Sequence, residues 1–264
     1  MITIASVNVN GIRAAFRRGM GGWLAQRRPD VLLLQEVRAP DELVGEFLAG
    51  PPWDLAHSES MTKGRAGVAI ASRLPMSAVR IGLDHGVATN SGRWVESDLQ
   101  LPGGGTLTVI STYIHSGTAQ TPSMEEKYAF LDMVTARLAE LRAGGGLAVL
   151  GGDLNIAHTD ADLKNATGNR NAAGCLPRER GYLDDWFASG WVDLGRSLAG
   201  DVPGPYTWWS WRGQAFDRDT GWRIDYQVAT PALAARACRA TVDRAASYAE
   251  RFSDHAPFVV TYEV

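Results

Sequence analysis

Two short apolar runs constrain this chain more than any other feature. Val31-Leu32-Leu33-Leu34 leads into Gln35-Glu36, and Ala148-Val149-Leu150 leads through Gly151-Gly152 into Asp153-Leu154-Asn155. Short apolar runs without alternation read as strands covered on both faces. Each run hands a carboxylate to its carboxyl end. Side chains two apart on an extended chain share a side, which predicts that Asp153 and Asn155 are delivered together. The two glycines read as a place where the backbone turns and where something approaches closely.

The remaining elements follow the same pattern. Ile2 to Val9, Gly67 to Ser72, Trp94 to Leu101, Thr106 to Ser111 and Arg223 to Ala229 read as strands, and Phe258-Val259-Val260 begins a last one. Asn10-Gly11 and Gly103-Gly104-Gly105 are turn signals. Arg13 to Arg28 is helical in parts and closed by Pro29-Asp30; Asp41 to Leu48 is a short helix broken by Gly50-Pro51-Pro52. Apolar residues at helical spacing predict a helix from Ser123 to Arg142, with Ser123 as N-cap and Gly144 to Gly146 as stop. Arg178 to Ser189 is a further helix, and the polar, Asn-rich stretch from Asp162 to Gly174 is a loop. With no repeat, low-complexity tract or linker, residues 1–264 read as a single α/β domain of two packed sheets covered by helices.

Composition excludes little. A net charge of −3 is not the basic footprint of a nucleic-acid binder, yet an enzyme that gathers carboxylates around a cation can carry it. Cys175 and Cys238 are too few for a disulfide framework or a zinc site. No apolar run approaches a membrane span. Met1-Ile2-Thr3-Ile4 lacks the basic start of a signal peptide, so a reducing, cytoplasmic setting is expected.

Polar groups accumulate at strand ends: Asn8, Glu36, Tyr113, Asp153 with Asn155, Asp225, and Asp254 with His255. Each alone has an ordinary structural explanation; Asp225 beside Arg223, for one, could be a plain salt bridge. Together they describe a site. Carboxylates raise one another's pKa and do not gather without a cation, and oxygen-rich ligation without Cys favours Mg²⁺ or Mn²⁺ over Zn²⁺. A histidine that titrates near neutrality, amides and a phenol complete the equipment for phosphate-ester hydrolysis.

These residues resemble a known family. Asn8-Val9-Asn10-Gly11-Ile12-Arg13, Leu34-Gln35-Glu36, Gly152-Asp153-Leu154-Asn155, Trp222-Arg223-Ile224-Asp225-Tyr226 and Ser253-Asp254-His255 are similar, in order, to the motifs of the exonuclease III family of apurinic/apyrimidinic endonucleases. That family lies within the endonuclease/exonuclease/phosphatase superfamily. Asn10-Gly11-Ile12-Arg13, Asp162-Leu163-Lys164-Asn165 and the Trp222 to Tyr226 motif are the parts most specific to its DNA-repair branch. The resemblance implies a four-layer αββα sandwich of two mixed sheets flanked by helices. It also implies a Mg²⁺-dependent monomer, with Mn²⁺ as a substitute, that is cytoplasmic and nucleoid-associated. The implied reaction cleaves duplex DNA 5′ to abasic sites and removes 3′ nucleotides or 3′-blocking groups in base excision repair.

Carried over residue by residue, Glu36 is the main metal ligand, with Asn8, Asp153, Asn155, Asp254 and His255 around the metal. Asp153 and the Asp225–His255 pair activate or orient water, either Asp153 or His255 being the base; Asn155 and Tyr113 stabilise charge. Trp208, Trp222 and Ile224 line a pocket for a sugar lacking its base, which is cheap to extrude. Within Trp208-Trp209-Ser210-Trp211, Trp209 is expected to be the packed one. Arg13, Asn165, Asn169 and Arg170 contact DNA phosphates. Two departures touch the periphery: His115-Ser116 and Ala172 stand where many members carry Asn. They bear on the balance between exonuclease and endonuclease action. The rivals are a phosphodiesterase or phosphatase acting on lipid or sugar phosphates, and a non-catalytic DNA-end binder; the intact acid–histidine set and the aromatic pocket argue against both.

Overall fold

Strand parity explains the architecture. In the first strand Ile2, Ile4, Ser6 and Asn8 share one face and Ala5 and Val7 the other; in the second, Val31, Leu33 and Gln35 oppose Leu32 and Leu34. Both faces are buried, as uninterrupted apolar runs require. The computed structural model describes residues 1–48, 53–83 and 91–264.

Its strands are β1 (Ile2–Asn8), β2 (Val31–Gln35), β3 (Asp54–Ser58), β4 (Val68–Ser72), β5 (Met76–Ile81), β6 (Trp94–Gln100), β7 (Thr106–Tyr113), β8 (Leu147–Asp153), β9 (Val192–Asp193), β10 (Asp225–Ala229), β11 (Ala237–Val242) and β12 (Phe258–Tyr262). Among the described residues they form two six-stranded sheets, β11-β12-β1-β2-β4-β3 and β5-β6-β7-β8-β10-β9. The pairs β1–β2 and β7–β8 are parallel and the others antiparallel, so both sheets are mixed. The sheets share a core that includes Ile4, Leu33, Ile70, Val109, Val149 and Val260. Helices Ile12–Arg17, Met20–Arg27 and Asp41–Leu48 cover the first sheet through Val7, Leu32 and Leu34. Helices Pro122–Ala143 and Pro177–Ala188 cover the second through Ile110, Leu150 and Val228. This is the four-layer sandwich the resemblance implies.

One feature of the inter-sheet layer positions the site. Toward one end of the sandwich it changes from apolar to polar along four strands: Ile4, Ser6, Asn8; Leu33, Gln35; Val109, Ser111, Tyr113; Val149, Gly151, Asp153. The buried polar groups satisfy one another, as burial demands: Gln35 Nε2 donates to Ser111 Oγ at 3.0 Å, and Ser111 Oγ donates to the Leu34 carbonyl at 2.9 Å.

Several local expectations need correction. Strand β8 passes straight through Gly151 and Gly152, neither of which has positive φ, so the backbone does not turn there. The close approach is real but comes from the protein itself. A Cβ on Gly151 would lie 2.4 Å from Leu33 Cδ1, and one on Gly152 would lie 2.0 Å from the Thr112 carbonyl oxygen. The long helix begins at Pro122 with Thr121 as N-cap, because proline suits the first turn. Ser123 is instead inside the helix, its hydroxyl accepting from Thr118 N–H at 2.9 Å. The Asn-rich loop contains a helical turn, Ala166–Asn169. Strands β3, β5, β9 and β11 were not expected, being short or half-exposed without a clean apolar pattern. The Gly50-Pro51-Pro52 break lies outside the described residues.

Candidate active site

Six strand ends converge on the polar end of the inter-sheet layer. Asn8 and Tyr113 end β1 and β7, Glu36 follows β2, and Asp153 ends β8. Asp225 begins the antiparallel β10, directly opposite Asp153, and Asp254-His255 precedes β12 on the edge where β1 ends. Antiparallel pairing is what brings strand starts and strand ends to one edge.

Asn8 links two of the acids. Its Nδ2 donates to Glu36 Oε1 at 3.0 Å and to Asp153 Oδ2 at 2.9 Å, while its Oδ1 accepts from Asn10 N–H at 3.0 Å. Glu36 and Arg38 sit at φ +48° and +52°, a left-handed conformation that disfavours side chains with a Cβ. Backbone bonds from Gly11 N–H to the Glu36 carbonyl and from Val37 N–H to the Gly67 carbonyl hold this turn. Arg38 donates to Glu36 Oε2.

Asp153 and Asn155 meet by a different device from strand alternation. Asn155 lies beyond the strand at φ +50°, and its N–H donates to Asp153 Oδ1 at 2.9 Å, an Asx-type turn. Its Nδ2 then donates to Asp153 Oδ2 at 3.1 Å and to the Ile114 carbonyl at 2.9 Å.

Asp225 pairs with His255, not with Arg223. His255 Nδ1 is 2.9 Å from Asp225 Oδ2 and its Nε2 is 3.7 Å from Asp153 Oδ2. Arg223 turns the other way, donating to Asp162 Oδ1 at 2.7 Å and pairing with Asp193 at 2.8 Å. The plain salt bridge is therefore excluded. Asp162–Arg223 instead ties together two of the three most specific motifs. Thr207, for which the sequence carries no signal, receives the N–H groups of Ile224 and Asp225 on its hydroxyl, each at 3.1 Å.

Burial and neighbouring charge set the protonation states. Burial alone would depress the His255 imidazolium, but Asp225, Asp153 and Asp254 outweigh it and raise its pKa to about 10. Burial, with Asp225 and Glu36 nearby, pushes Asp153 up to about 8 against the pull of His255. Burial and the carboxylates of Glu36 and Asp153 hold the Tyr113 phenol well above its usual range, so it stays a donor. Asp254 is held low, despite burial, by the His255 charge and by donors from Asn10 (2.8 Å) and Trp208 (3.2 Å).

This acid-rich site suits a cation. One oxygen from Asp153, one from Asp225 and a ring nitrogen of His255 lie within 4.8 Å of one another. The buried Asp225 Oδ1 has no partner among the described residues. Asp225 thus joins the group of possible ligands, while Glu36 is reached through the Asn8 amide.

Trp208 stands beside this cluster. Its ring is 6.5 Å from that of His255 and meets Trp222 edge-on at 6.2 Å. Ile224 is buried, and Trp209 is packed into a separate core with Phe216, as expected. Arg13 is exposed and lines a basic recess of about 250 Å³ with Arg38, Lys63 and Arg65. Asn165 caps the turn through Gly168 N–H, Asn169 Nδ2 donates to the Asn165 carbonyl, and Arg170 is exposed; none of the three touches the acid cluster. Sequence reading missed Asn10 as a partner of Asp254, Arg38 as a partner of Glu36, and Arg93. The Arg93 carbonyl anchors Tyr113 N–H at 2.9 Å, and its buried Nε has no partner among the described residues. Arg38 was visible two residues after Glu36; Arg93 had no pattern to mark it.

Comparison with known proteins agrees with this geometry. The profile of the Endonuclease/Exonuclease/phosphatase family matches residues 5–255. This chain belongs to that family. A Bacillus subtilis exodeoxyribonuclease is 30% identical over 231 residues, 87% of this chain and 88% of that one. An AP endonuclease from Archaeoglobus fulgidus is 29% identical with a TM-score of 0.89, and each chain is covered completely. A Neisseria 3′ phosphatase bound to a product DNA hairpin is 28% identical with a TM-score of 0.88, again over the whole of both chains. Among the described residues no helix is long and apolar enough to cross a membrane.

Proposed function

We propose that this family member is a DNA repair nuclease. It hydrolyses the phosphodiester 5′ to an abasic site in duplex DNA and removes 3′ nucleotides or 3′-blocking groups, acting as a single-domain monomer in the cytoplasm beside the nucleoid. The observation that carries the reading is the Asp153–His255–Asp225 row beside the Trp208–Trp222 wall. Hydrolytic groups stand beside an aromatic pair against which a baseless sugar would pack.

The cation that suits these groups is Mg²⁺, with Mn²⁺ as a substitute; Glu36, Asp153 and Asp225 would hold it, with Asn8, Asn155, Asp254 and His255 around it. Bound there, it would neutralise charge on the phosphate. The chain's own residues do the rest. Asp225 fixes the His255 ring through Nδ1 and keeps it an imidazolium, so its Nε2–H donates to a phosphoryl oxygen, and Asp153, in the carboxylate form that the His255 charge favours, takes the proton of the attacking water. A new P–O bond forms to water as the P–O3′ bond breaks; the departing O3′ takes a proton from solvent, leaving a 3′-hydroxyl on the preceding nucleotide and a 5′-phosphate on the abasic sugar. The protonated Tyr113, and Asn155 Nδ2 on releasing its bond to Asp153, donate to the charge that develops. Arg13, Asn165, Asn169 and Arg170 contact backbone phosphates and read no sequence.

The test is incubation with a duplex holding one tetrahydrofuran abasic analogue, beside a 3′-recessed duplex, with Mg²⁺ and with chelator. Both substrates are expected to be cut only with the cation. Intact duplexes next to a working control enzyme would remove the assignment, and release of phosphate from sugar or lipid phosphates alone would favour the phosphatase rival.

A further inference from the structure

Lys127 lies on the helix Pro122–Ala143 and is fully buried, which is rare for lysine unless it is paired. It forms an ion pair with Glu179, itself fully buried on the helix Pro177–Ala188. Two more donors of the ammonium go to backbone carbonyls, Asn155 at 3.0 Å and Ser116 at 3.2 Å. Glu179 Oε2 in turn accepts the N–H groups of Gly174 (2.7 Å) and Leu176 (3.0 Å). All three donors of one ammonium are thus used: two reach the loops after Tyr113 and Asp153, and the third seats on Glu179, which ties in the loop at 174–176.

Those loops bear on the reacting centre. Asn155 holds a left-handed backbone conformation that turns its carbonyl in to Lys127 and its amide to Asp153. Gly174, at φ +89°, fits between Asn155 and the pocket wall; a Cβ there would lie 3.0 Å from the Asn155 carbonyl oxygen and 3.1 Å from Trp222 Cζ3. Ala157 N–H closes the same loop onto the Gly174 carbonyl at 2.8 Å. A buried ion pair contributes little net stability compared with an apolar pair of the same volume. Its geometry therefore needs another explanation.

We propose that Lys127 is a positioning residue whose ammonium, seated on Glu179, holds the Asn155 amide and the Trp222 wall in register with Asp153. The idea rests on the nuclease reading for its catalytic consequence, and on geometry alone for the clamp.

The test uses the full chain carrying Lys127→Met with Glu179→Gln. This pair removes both charges, keeps an acceptor for Gly174 and Leu176, and withdraws the donors from Asn155 and Ser116. Hydrogen exchange read by mass spectrometry should quicken in segments 154–158 and 171–176 while β1, β2 and β8 stay protected. On the abasic duplex kcat should fall on the order of 10²-fold, the effect of a misplacement near 1 Å, with KM nearly unchanged. Lys127→Gln with Glu179→Gln restores a shorter donor and should recover part of kcat, and it serves in place of the first variant if that one fails to fold. Unchanged exchange in both segments would overturn the clamp whether or not the protein cuts DNA. Faster exchange with wild-type kcat, or a loss confined to KM, would overturn its role in positioning. Failure of the wild type to cut either duplex would instead reject the nuclease reading, leaving the clamp to be judged by exchange.

Discussion

His255 Nδ1 lies 2.9 Å from Asp225 Oδ2, and that contact decides which ring nitrogen faces the reacting centre. With Nδ1–H given to Asp225, Nε2 points toward Asp153. Asp225→Asn would offer an amide in place of the carboxylate and remove the charge that favours the imidazolium. The loss in kcat is expected to be about 10²- to 10⁴-fold, as for other histidines that lose an orienting carboxylate. Single-turnover rates on the abasic duplex check this, alongside a binding titration that should stay unchanged. An equal rate would exclude the pair from the chemistry.

Glu36 and Asp153 share one amide hydrogen-bond donor, Asn8 Nδ2, yet their substitutions should separate. Glu36→Ala removes an acid from the cation side and should raise the Mg²⁺ needed for half-maximal rate by about 10- to 100-fold. Asp153→Asn keeps the shape and the DNA contacts but cannot accept a proton, so turnover should nearly vanish while duplex binding persists. Rate against Mg²⁺ concentration and gel-shift binding distinguish the two, and matching profiles for both variants would refute the division of roles.

How much of this was legible in the sequence depended on how local the cause was. The runs at Val31–Leu34 and Ala148–Leu150 revealed double-sided burial because their composition reflects it directly. Asp225 was ambiguous beside Arg223, since sequence adjacency cannot show that Arg223 faces Asp162 and Asp193 on the other side of the strand. Gly151 and Gly152 looked like a turn because glycine marks both turns and close approaches, and only the neighbouring Leu33 and Thr112 tell them apart. Strands β5 and β11 lie at sheet edges with exposed side chains, so they carry little apolar pattern. Lys127 falls inside the expected helix with nothing to single it out, because its partner Glu179 is 52 residues away.

The two glycines of β8 predict a stability contrast. In Gly152→Ala the new Cβ meets a backbone carbonyl oxygen that is itself part of the sheet, so the strand must move. In Gly151→Ala it meets the end of the Leu33 side chain, which can rotate. Overpacking typically costs about 1–3 kcal/mol; we expect about 3 for Gly152→Ala and about 1 for Gly151→Ala. Urea unfolding followed by tryptophan fluorescence measures both, and an inverted order would show that the sheet yields more easily than the side chain.

Asp162 gives a pH-dependent prediction. Burial works against its charge, but Arg223, the N–H of Thr159 and Arg196 hold its carboxyl below the usual carboxylate range. A depressed folded-state pKa adds stability that is fully present above the unfolded value, about 3.9, and is lost as pH falls through the folded value. Asp162→Asn leaves Arg223 buried with Asp193 alone, and breaking such a pair costs about 3–5 kcal/mol. The gap between wild type and variant should therefore stay constant from pH 7 to about pH 5 and narrow only below about pH 4. Thermal melts across that range test it; a gap that already closes near pH 6 would point to a different group.

Trp208 offers the sharpest test of substrate choice. Its indole N–H reaches Asp254 Oδ2 at 3.2 Å while its ring, half-buried, faces Trp222. Trp208→Phe keeps an apolar wall and loses only the hydrogen bond, whereas Trp208→Ala opens the slot. Burying a large apolar surface is worth about 1.5–3 kcal/mol, or roughly 10- to 100-fold in rate. Trp208→Ala should lose that factor in kcat/KM on the abasic duplex, where an extruded sugar would pack against the ring. It should lose less on a 3′-recessed duplex, whose terminal nucleotide is also held by its base. Trp208→Phe should stay near wild type on both. Equal losses of Trp208→Ala on the two substrates would mean that the ring supports Asp254 and His255 and does not choose the sugar.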